Sequence, residues 1–257
     1  MTFPNHWADG TDPAAPDHQV HWYDDRTAII RQSLRTNFEG PFLYLLLGTE
    51  RALLLDTGTA HAPLRPLVDD LLAARTRPGH ELVVAHTHGH SDHVGGDGEF
   101  DAVVGRAAEE VAQYFGLDWP DGRATIDLGD RAVDVVPIPG HQGADIALYD
   151  RTTRLLFTGD SLYPGRLYVK DWAAYRASIR RLAAFVAEGN PVEWVLGAHI
   201  EMTGQPGRDY AMGADRHPDE HALQLRPGVL TELLQVLDAA GDVPARIVCD
   251  DFVVYPV

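Results

Sequence analysis

The sequence predicts a mixed α/β protein built as a four-layer sandwich, with two β-sheets face to face and helices on their outer sides. Short apolar runs with strand character recur along both halves of the 257-residue chain, and amphipathic helical segments follow several of them. Many of these runs are almost continuously apolar, which indicates strands that are covered on both faces. A chain of this length can bury a large core, and we assign residues 1–257 to one domain.

The elements follow in chain order from local patterns. Residues 1–26 are expected to form an N-terminal arm, loose over 1–18, and residues 203–228 are rich in glycine, proline and charge and predict a long loop. The C-terminal part, 229–257, is expected to hold a helix and terminal strands. The predicted strands are 27–34, 42–47, 52–56, 81–85, 102–104, 131–136, 155–158, 194–197, 247–249 and 252–255. The predicted helices are 64–72, 106–115, 172–186 and 229–239, with a short helical piece at 219–223 inside the loop.

One stretch is rich in metal-binding side chains. His86-Thr87-His88-Gly89-His90-Ser91-Asp92-His93 holds four histidines and an aspartate within eight residues. It follows the predicted strand of 81–85, and the ends of strands in α/β folds are common ligand sites. Imidazole and carboxylate together suit zinc, with iron and manganese as alternatives. His86 lies outside the regular spacing, and we interpret it as a supporting residue at the strand end.

The ordered pattern His88-x-His90-x-Asp92-His93, with Thr87 before it and Gly95-Gly96 after it, resembles the signature of the metallo-β-lactamase fold metallo-hydrolases. The similarity is to the glyoxalase II and lactonase-like branch, and it covers residues 27–200. Three later strand ends resemble further ligand positions of that family: Pro139-Gly140-His141, Gly159-Asp160 and Gly197-Ala198-His199. The resemblance implies an αββα sandwich with these loops at one edge.

The resemblance also implies a dinuclear metal centre. One metal ion would be held by His88, His90 and His141, the other by Asp92, His93 and His199, with Asp160 between them. Asp56, which ends the predicted strand of 52–56, would support the metal loop from outside the coordination sphere. Two Zn²⁺ ions per chain are expected, with iron or manganese as alternatives.

The implied reaction is hydrolysis of a small ester, lactone or thioester, in which a hydroxide that bridges the two metal ions attacks the carbonyl carbon. Asp92 has a second expected role, since it could carry the proton to the leaving group. Three alternatives remain open at this point. They are an iron-dependent redox enzyme of the persulfide dioxygenase type, a β-lactam hydrolase, and a metal-binding protein without turnover.

Five residues outside the ligand set are candidate substrate contacts: Phe38, Glu39, Tyr163, Arg166 and Tyr168. The last three follow Asp160 closely. A tyrosine there could donate to a developing oxyanion, and the arginine could hold an anionic tail of the substrate. Phe38 and Glu39 fall where the family often has a loop over the site. His217 and His221, four residues apart, are expected to lie on a solvated helix face.

Composition limits the partners. The formal net charge of −17 repels phosphate backbones, so a small-molecule substrate is expected and a nucleic acid is not. No apolar run reaches the length of a membrane span, and the start of the chain does not read as a signal peptide, so a cytoplasmic location is expected. Cys249 is the only cysteine, which excludes an intrachain disulfide. Nothing in the sequence indicates an oligomeric state.

Overall fold

Two large β-sheets pack face to face in the computed structural model, which describes residues 2–257. The first sheet contains, in spatial order, β1 (His18–Asp24), β2 (Thr27–Gln32), β3 (Phe42–Leu47), β4 (Arg51–Leu55) and β5 (Glu81–Ala85). Its neighbours are antiparallel except β4 and β5, which are parallel. The parallel pair matters for the site, because it sends both strand ends to the same edge of the sheet.

The second sheet has six strands, β6 (Ala124–Asp127), β7 (Ala132–Pro137), β8 (Ile146–Asp150), β9 (Leu155–Gly159), β11 (Trp194–Gly197) and β12 (Gln224–Leu225). Their spatial order is β12-β11-β9-β8-β7-β6, and β9 and β11 run parallel. A small third sheet has the order β10-β14-β13, made by β10 (Arg166–Val169), β13 (Ile247–Val248) and β14 (Val253–Pro256).

The helices are α1 (Arg65–Arg75), α2 (Ser91–Val94), α3 (Ala108–Phe115), α4 (Trp172–Ala187) and α5 (Gly228–Ala240), with a 3₁₀ turn at Asp97–Glu99. Helices α1, α4 and α5 cover the outer faces, whereas Val111 of α3 belongs to the apolar cluster between the two sheets. Val68 of α1 belongs to the apolar cluster on the outer face of the first sheet. Ile179 of α4 and Leu233 of α5 belong to the cluster on the outer face of the second sheet. The predicted four-layer αββα sandwich is therefore confirmed.

The main hydrophobic core lies between the two sheets. Tyr44 of β3 and Phe157 of β9 meet there with ring centroids 4.5 Å apart. The Tyr44 hydroxyl donates to the carbonyl oxygen of Gly197 at 2.5 Å, so a buried polar group is satisfied across the sandwich. This contact joins β3 directly to the end of β11, which leads into the site.

Several elements differ from the sequence prediction. Residues 18–24 of the N-terminal arm pair with β2 as strand β1. The predicted strand 102–104 is wrong. Val104 N donates to Val84 O of β5 at 2.9 Å, but this single hydrogen bond does not make residues 102–104 a strand. The predicted helix at 219–223 is wrong as well. Asp219 has a left-handed φ of 62°, and the backbone instead forms an isolated bridge between Glu220 and Thr203.

No helix within residues 2–257 has the length and apolar character that crossing a bilayer requires.

Candidate metal centre

Four strand ends at one edge of the sandwich deliver the predicted ligands, and a fifth delivers Asp56. The loop after β5 carries His88 and His90 and continues into α2, which carries Asp92 and His93; His141 follows β7, Asp160 follows β9, and His199 follows β11. Asp56 follows β4, the parallel neighbour of β5. The chain therefore brings residues that are up to 143 positions apart to one place by ending each strand at this edge.

The loop after β5 is held in place by contacts with Gly159 and with Asp56. Gly159 has a φ of 52°, and a Cβ at this position would lie 2.6 Å from the Thr87 Cβ, so only glycine fits between the two loops. Asp56 is fully buried with a φ of 66°, and its carboxylate accepts hydrogen bonds from Thr87 N at 2.7 Å and from Thr87 Oγ1 at 2.8 Å. Asp56 thus fixes Thr87 at the start of the loop after β5, the motif loop of residues 86–93.

The first ligand cluster contains three imidazole nitrogens that point at one another. His88 Nε2 lies 2.9 Å and His141 Nε2 lies 3.0 Å from His90 Nδ1. Each of these nitrogens can carry at most one proton, so the three cannot all satisfy one another by hydrogen bonding. Asp160 Oδ2 completes the cluster, 3.8 Å from His88 Nε2 and 3.6 Å from His141 Nε2.

The second cluster combines two histidines with two carboxylates. Asp92 Oδ2 lies 3.3 Å from His93 Nε2 and 3.2 Å from His199 Nε2. Asp160 Oδ1 lies 3.4 Å and 3.2 Å from the same two nitrogens. One carboxylate oxygen of Asp160 therefore faces each cluster.

These separations fit a tetrahedral metal site. Zinc bonds of about 2.0–2.1 Å place neighbouring ligand atoms about 3.3–3.4 Å apart, and the four separations of the second cluster match that spacing. Within each cluster the donor atoms lie within 4.8 Å of one another. His93 Nε2, His199 Nε2 and Asp160 Oδ1 are buried without a hydrogen-bond partner. Since buried polar atoms are normally paired, the residues present fit a cation in this position.

The opposite nitrogen of each of three ligand histidines is fixed by an oxygen outside the cluster. His93 Nδ1 is 2.9 Å from Asp56 Oδ2, His141 Nδ1 donates to Tyr168 O at 2.8 Å, and His199 Nδ1 donates to Glu39 O at 2.9 Å. Each contact sets the orientation of the ring and directs its Nε2 into the cluster.

The histidines of the first cluster are held neutral. Burial lowers the pKa of His88 well below its usual value, and the nearby rings of His93 and His141 add to the effect. Burial and the neighbours His141 and Lys170 lower the pKa of His90 to about 4. Burial lowers the pKa of His141 too. Neutral rings at pH 7 leave lone pairs free for a metal ion.

The second cluster has the opposite electrostatics. Burial alone would lower the pKa of His93 and of His199, but the Asp160 carboxylate and its neighbours outweigh that cost and raise both values well above normal. For Asp160 and Asp92, burial opposes ionisation, yet the facing histidines lower both pKa values. In the metal-free chain, protons on the two rings therefore balance the carboxylate charge that a dication would otherwise balance.

His86 takes the supporting position that the sequence suggested. It is buried, and its Nε2 lies 3.2 Å from Asp97 Oδ2, away from both clusters. Asp97 also accepts hydrogen bonds from Thr57 Oγ1 at 2.7 Å and from Arg106 Nη2 at 2.6 Å. This network anchors the far side of the motif loop.

Four of the five candidate substrate contacts line a cavity of about 500 Å³: Phe38, Glu39, Arg166 and Tyr168. Glu39 and Tyr168 connect this cavity to the ligand clusters, because their carbonyl oxygens accept hydrogen bonds from His199 Nδ1 and His141 Nδ1. The segment 211–214 of the long loop forms another wall. The role of 211–214 was missed, because a loop without regular structure gives no sequence signal for the direction in which it folds.

The side chains of Tyr163 and Arg166 contact partners within the protein. The Tyr163 side chain is buried, and its hydroxyl lies 2.5 Å from Arg166 O and 2.9 Å from Glu201 Oε2. The Arg166 guanidinium donates to Asp209 Oδ2 at 2.8 Å, to Glu201 Oε1 at 3.1 Å and to the Tyr168 hydroxyl at 2.9 Å. This geometry does not support an oxyanion role for Tyr163 or an anion clamp for Arg166, since both are committed to internal partners.

Tyr168 keeps the geometry of a hydrogen-bond donor. Its hydroxyl oxygen accepts from Arg166 Nε, which leaves its own O–H free. Burial, together with the Glu201 charge, raises its pKa, so the phenol is protonated at neutral pH.

Lys170 was missed by the sequence analysis. It is exposed, it is the only lysine in the chain, and its Nζ lies 2.8 Å from His90 Nε2. The composition could have identified it, because the chain has one lysine and all its other Lys and Arg residues are arginines.

His217 and His221 do not share a helix face. His217 stacks on Tyr210 with centroids 4.2 Å apart, and His221 Nε2 lies 3.2 Å from Asp251 Oδ1. The two rings have separate structural contacts.

Known proteins resemble this chain in sequence and in fold. A family model described as the metallo-beta-lactamase superfamily matches residues 37–249. Acyl-coenzyme A thioesterase MBLAC2 of Gallus gallus is 32% identical in an alignment 211 positions long that covers 63% of this chain and 73% of the relative. Hydroxyacylglutathione hydrolase of Aeromonas hydrophila is 29% identical in an alignment 207 positions long that covers 77% of this chain and 74% of the relative.

Solved structures share the fold at low identity. A metallo-beta-lactamase from Pontibacter korlensis superposes with a TM-score of 0.57 at 18% identity, covering 86% of this chain and 99% of the other. One from Erythrobacter litoralis gives 0.59 at 16% identity, covering 87% and 97%. With the family match, the relatives confirm a metal-dependent hydrolase. The chain belongs to the metallo-beta-lactamase superfamily.

Proposed function

We propose that this protein hydrolyses thioesters of small acyl groups at a centre of two metal ions, with zinc as the expected metal. The observation that carries the proposal is the pair of ligand clusters that share Asp160 beside one cavity of about 500 Å³. The sequence relatives favour thioesters over esters and lactones, because a coenzyme A thioesterase and a hydroxyacylglutathione hydrolase are both among them.

Each cluster would hold one ion. His88, His90 and His141 would bind the first and Asp92, His93 and His199 the second, with one oxygen of Asp160 toward each. When bound, the ions supply Lewis acidity, which polarises a carbonyl and lowers the pKa of water to about 7.

The side chains around the clusters would orient the substrate and move protons. Tyr168 has a protonated hydroxyl beside the cavity and would donate a hydrogen bond to the carbonyl oxygen as negative charge develops there. Asp92 faces the second cluster and is partly open to solvent, so it would carry a proton toward the departing thiolate. Lys170 offers an exposed positive charge beside the first cluster for an anionic part of the leaving group.

A substrate panel tests the proposal. Protein of known metal content is assayed with thioesters, oxygen esters, lactones and a β-lactam that share a chromogenic readout. The expected result is turnover of thioesters, with two metal ions per chain by elemental analysis. Turnover only of the β-lactam, or activity that depends on redox-active iron and oxygen, would contradict it.

Asp92→Asn adds a test of the site itself. The amide is a poorer ligand and cannot accept the proton, so the variant should lose the second ion or most of its turnover while the fold is kept. Asp69→Asn, at an exposed helix position paired with Arg65, is the matched control and should behave like the parent. Full metal occupancy and parental kcat in Asp92→Asn would remove Asp92 from the site.

A further inference from the structure

We propose that the cavity beside the two ligand clusters is the subsite for the acyl part of the substrate, and that it takes an uncharged, apolar acyl chain. This inference rests on the proposed thioester hydrolysis and adds the chemistry of the group that is released as the acid.

The position of the cavity fits an acyl subsite. Its walls include Glu39 and Tyr168, whose carbonyl oxygens accept from His199 Nδ1 at 2.9 Å and from His141 Nδ1 at 2.8 Å. The walls are therefore tied to one ligand histidine of each cluster. A carbonyl group held at the metal centre would have its substituents within reach of this cavity.

Two large apolar side chains stand at the cavity in contact with solvent. Phe38 is 47% exposed and Met212 is 65% exposed, although most large apolar residues of the chain are buried. They come from different loops, and the small residues Ala211, Gly213 and Ala214 beside Met212 line the same cavity. Exposed apolar side chains that line a concave site mark a binding surface for an apolar ligand. The flexible Met side chain can adjust to chains of different length.

The charges in the cavity disfavour an acidic acyl group. Arg166 is the only Lys or Arg side chain in the lining, and its ion pairs with Glu201 at 3.1 Å and Asp209 at 2.8 Å leave it no free charge for a substrate. Glu39 and Glu201 add carboxylates to the same walls. His217 also lines the cavity, and its Nδ1 lies 3.3 Å from Glu220 Oε1. A terminal carboxylate on the acyl chain would therefore lose its hydration without gaining a cation that is not already paired. The cavity therefore combines apolar contact area with selection against anions.

A series of acyl N-acetylcysteamine thioesters on the full-length, metal-loaded protein tests this inference, because the uncharged leaving group stays constant. The acyl groups are acetyl, butanoyl and hexanoyl, with succinyl and adipoyl as the carboxylated counterparts of the last two. We expect kcat/KM to rise about fourfold per methylene, the factor that corresponds to about 0.8 kcal/mol per buried CH₂. Each carboxylated substrate should be at least about tenfold worse than its uncharged counterpart.

Side-chain variants locate the effect. Phe38→Ala and Met212→Ala should each reduce the ratio of hexanoyl to acetyl kcat/KM, by up to about tenfold. Tyr114 and Val243 are 55% and 71% exposed and lie outside the cavity lining. The control variants Tyr114→Ala and Val243→Ala should therefore leave this ratio unchanged. A ratio that does not change in either cavity variant would overturn the assignment of the subsite.

A binding measurement separates this inference from the proposed function. Amide analogues of the same series cannot be hydrolysed at a comparable rate, and their affinity is measured by calorimetry. Binding that tightens with chain length and fails for the carboxylated analogue supports the subsite even if thioesters are not turned over. Turnover of all thioesters at one rate, or a preference for succinyl over butanoyl, overturns the subsite and leaves the thioesterase proposal standing.

Discussion

Asp56 Oδ2 lies 2.9 Å from His93 Nδ1, and this contact directs the opposite nitrogen of His93 into the second ligand cluster. The same carboxylate also holds Thr87, at the start of the motif loop. Asp56 therefore couples the position of the loop to the orientation of one ligand, from a fully buried position at a left-handed φ of 66°.

Asp56→Asn should weaken metal binding without unfolding the protein. Asparagine tolerates the left-handed backbone, but it lacks the negative charge that orients and polarises the His93 ring. The expected loss is about 10- to 100-fold in affinity for one metal ion, measured by competition with a chromophoric chelator. The control Asp69→Asn should bind both ions as the parent does. Unchanged affinity for both ions in Asp56→Asn would exclude the orienting role.

Metal binding at the second cluster should release protons, and binding at the first should release few. The raised pKa values of His93 and His199 keep both rings protonated in the metal-free protein at pH 7, whereas His88, His90 and His141 have lowered pKa values and are already neutral. Because the bound metal requires neutral rings, affinity at the second cluster should rise with pH, with release of about two protons at neutral pH.

Calorimetry in buffers of different ionisation enthalpy measures this proton release for each ion. The same raised pKa values stabilise the metal-free fold below the ordinary histidine pKa, and this contribution is lost as pH rises through the raised values. Equal proton release for the two ions would contradict the assigned electrostatics.

Tyr168→Phe and Tyr163→Phe should behave differently, although both tyrosines follow Asp160 closely. Tyr168 has a free O–H beside the cavity, so its loss should lower kcat and kcat/KM together, by about 10²–10³-fold at most. The Tyr163 hydroxyl is bound to Arg166 O and Glu201, so its loss should lower the free energy of unfolding with a smaller kinetic effect. Steady-state kinetics with denaturant unfolding would distinguish them, and equal kinetic losses would argue against the distinction.

Arg166→Ala should destabilise the fold more than it changes substrate binding. The variant leaves Glu201 and Asp209 without their cation in a largely buried network, which we expect to cost about 3 kcal/mol in the free energy of unfolding. Arg154→Ala breaks an exposed pair with Glu193 and should cost no more than about 1 kcal/mol. A raised KM with unchanged stability would instead restore the anion-clamp role.

The sequence was informative where function depends on local pattern. The apolar strand of 81–85 and the histidine-rich loop after it are adjacent in the sequence, so both could be predicted together. Each later predicted ligand, such as Asp160, follows the end of an apolar strand. The structure brings all the predicted ligand positions together, while their role as ligands stays a prediction.

Side-chain direction was not accessible from the sequence. Proximity to Asp160 along the chain placed Tyr163 near the site, but its hydroxyl is directed to Glu201, which is 38 positions away. Strand β1 was missed because its histidines interrupt the apolar alternation, and its strand conformation depends on pairing with β2. Such features are set by contacts between distant segments and need the folded chain.

The position of Lys170 has a practical consequence. It is the only side-chain amine in the protein, and it stands exposed with its Nζ 2.8 Å from His90. An amine-reactive fluorophore would therefore attach a single side-chain reporter beside the first cluster, without any engineered residue. Paramagnetic ions such as Co²⁺ that enter the first cluster should quench such a dye strongly, so that metal loading could be followed in real time.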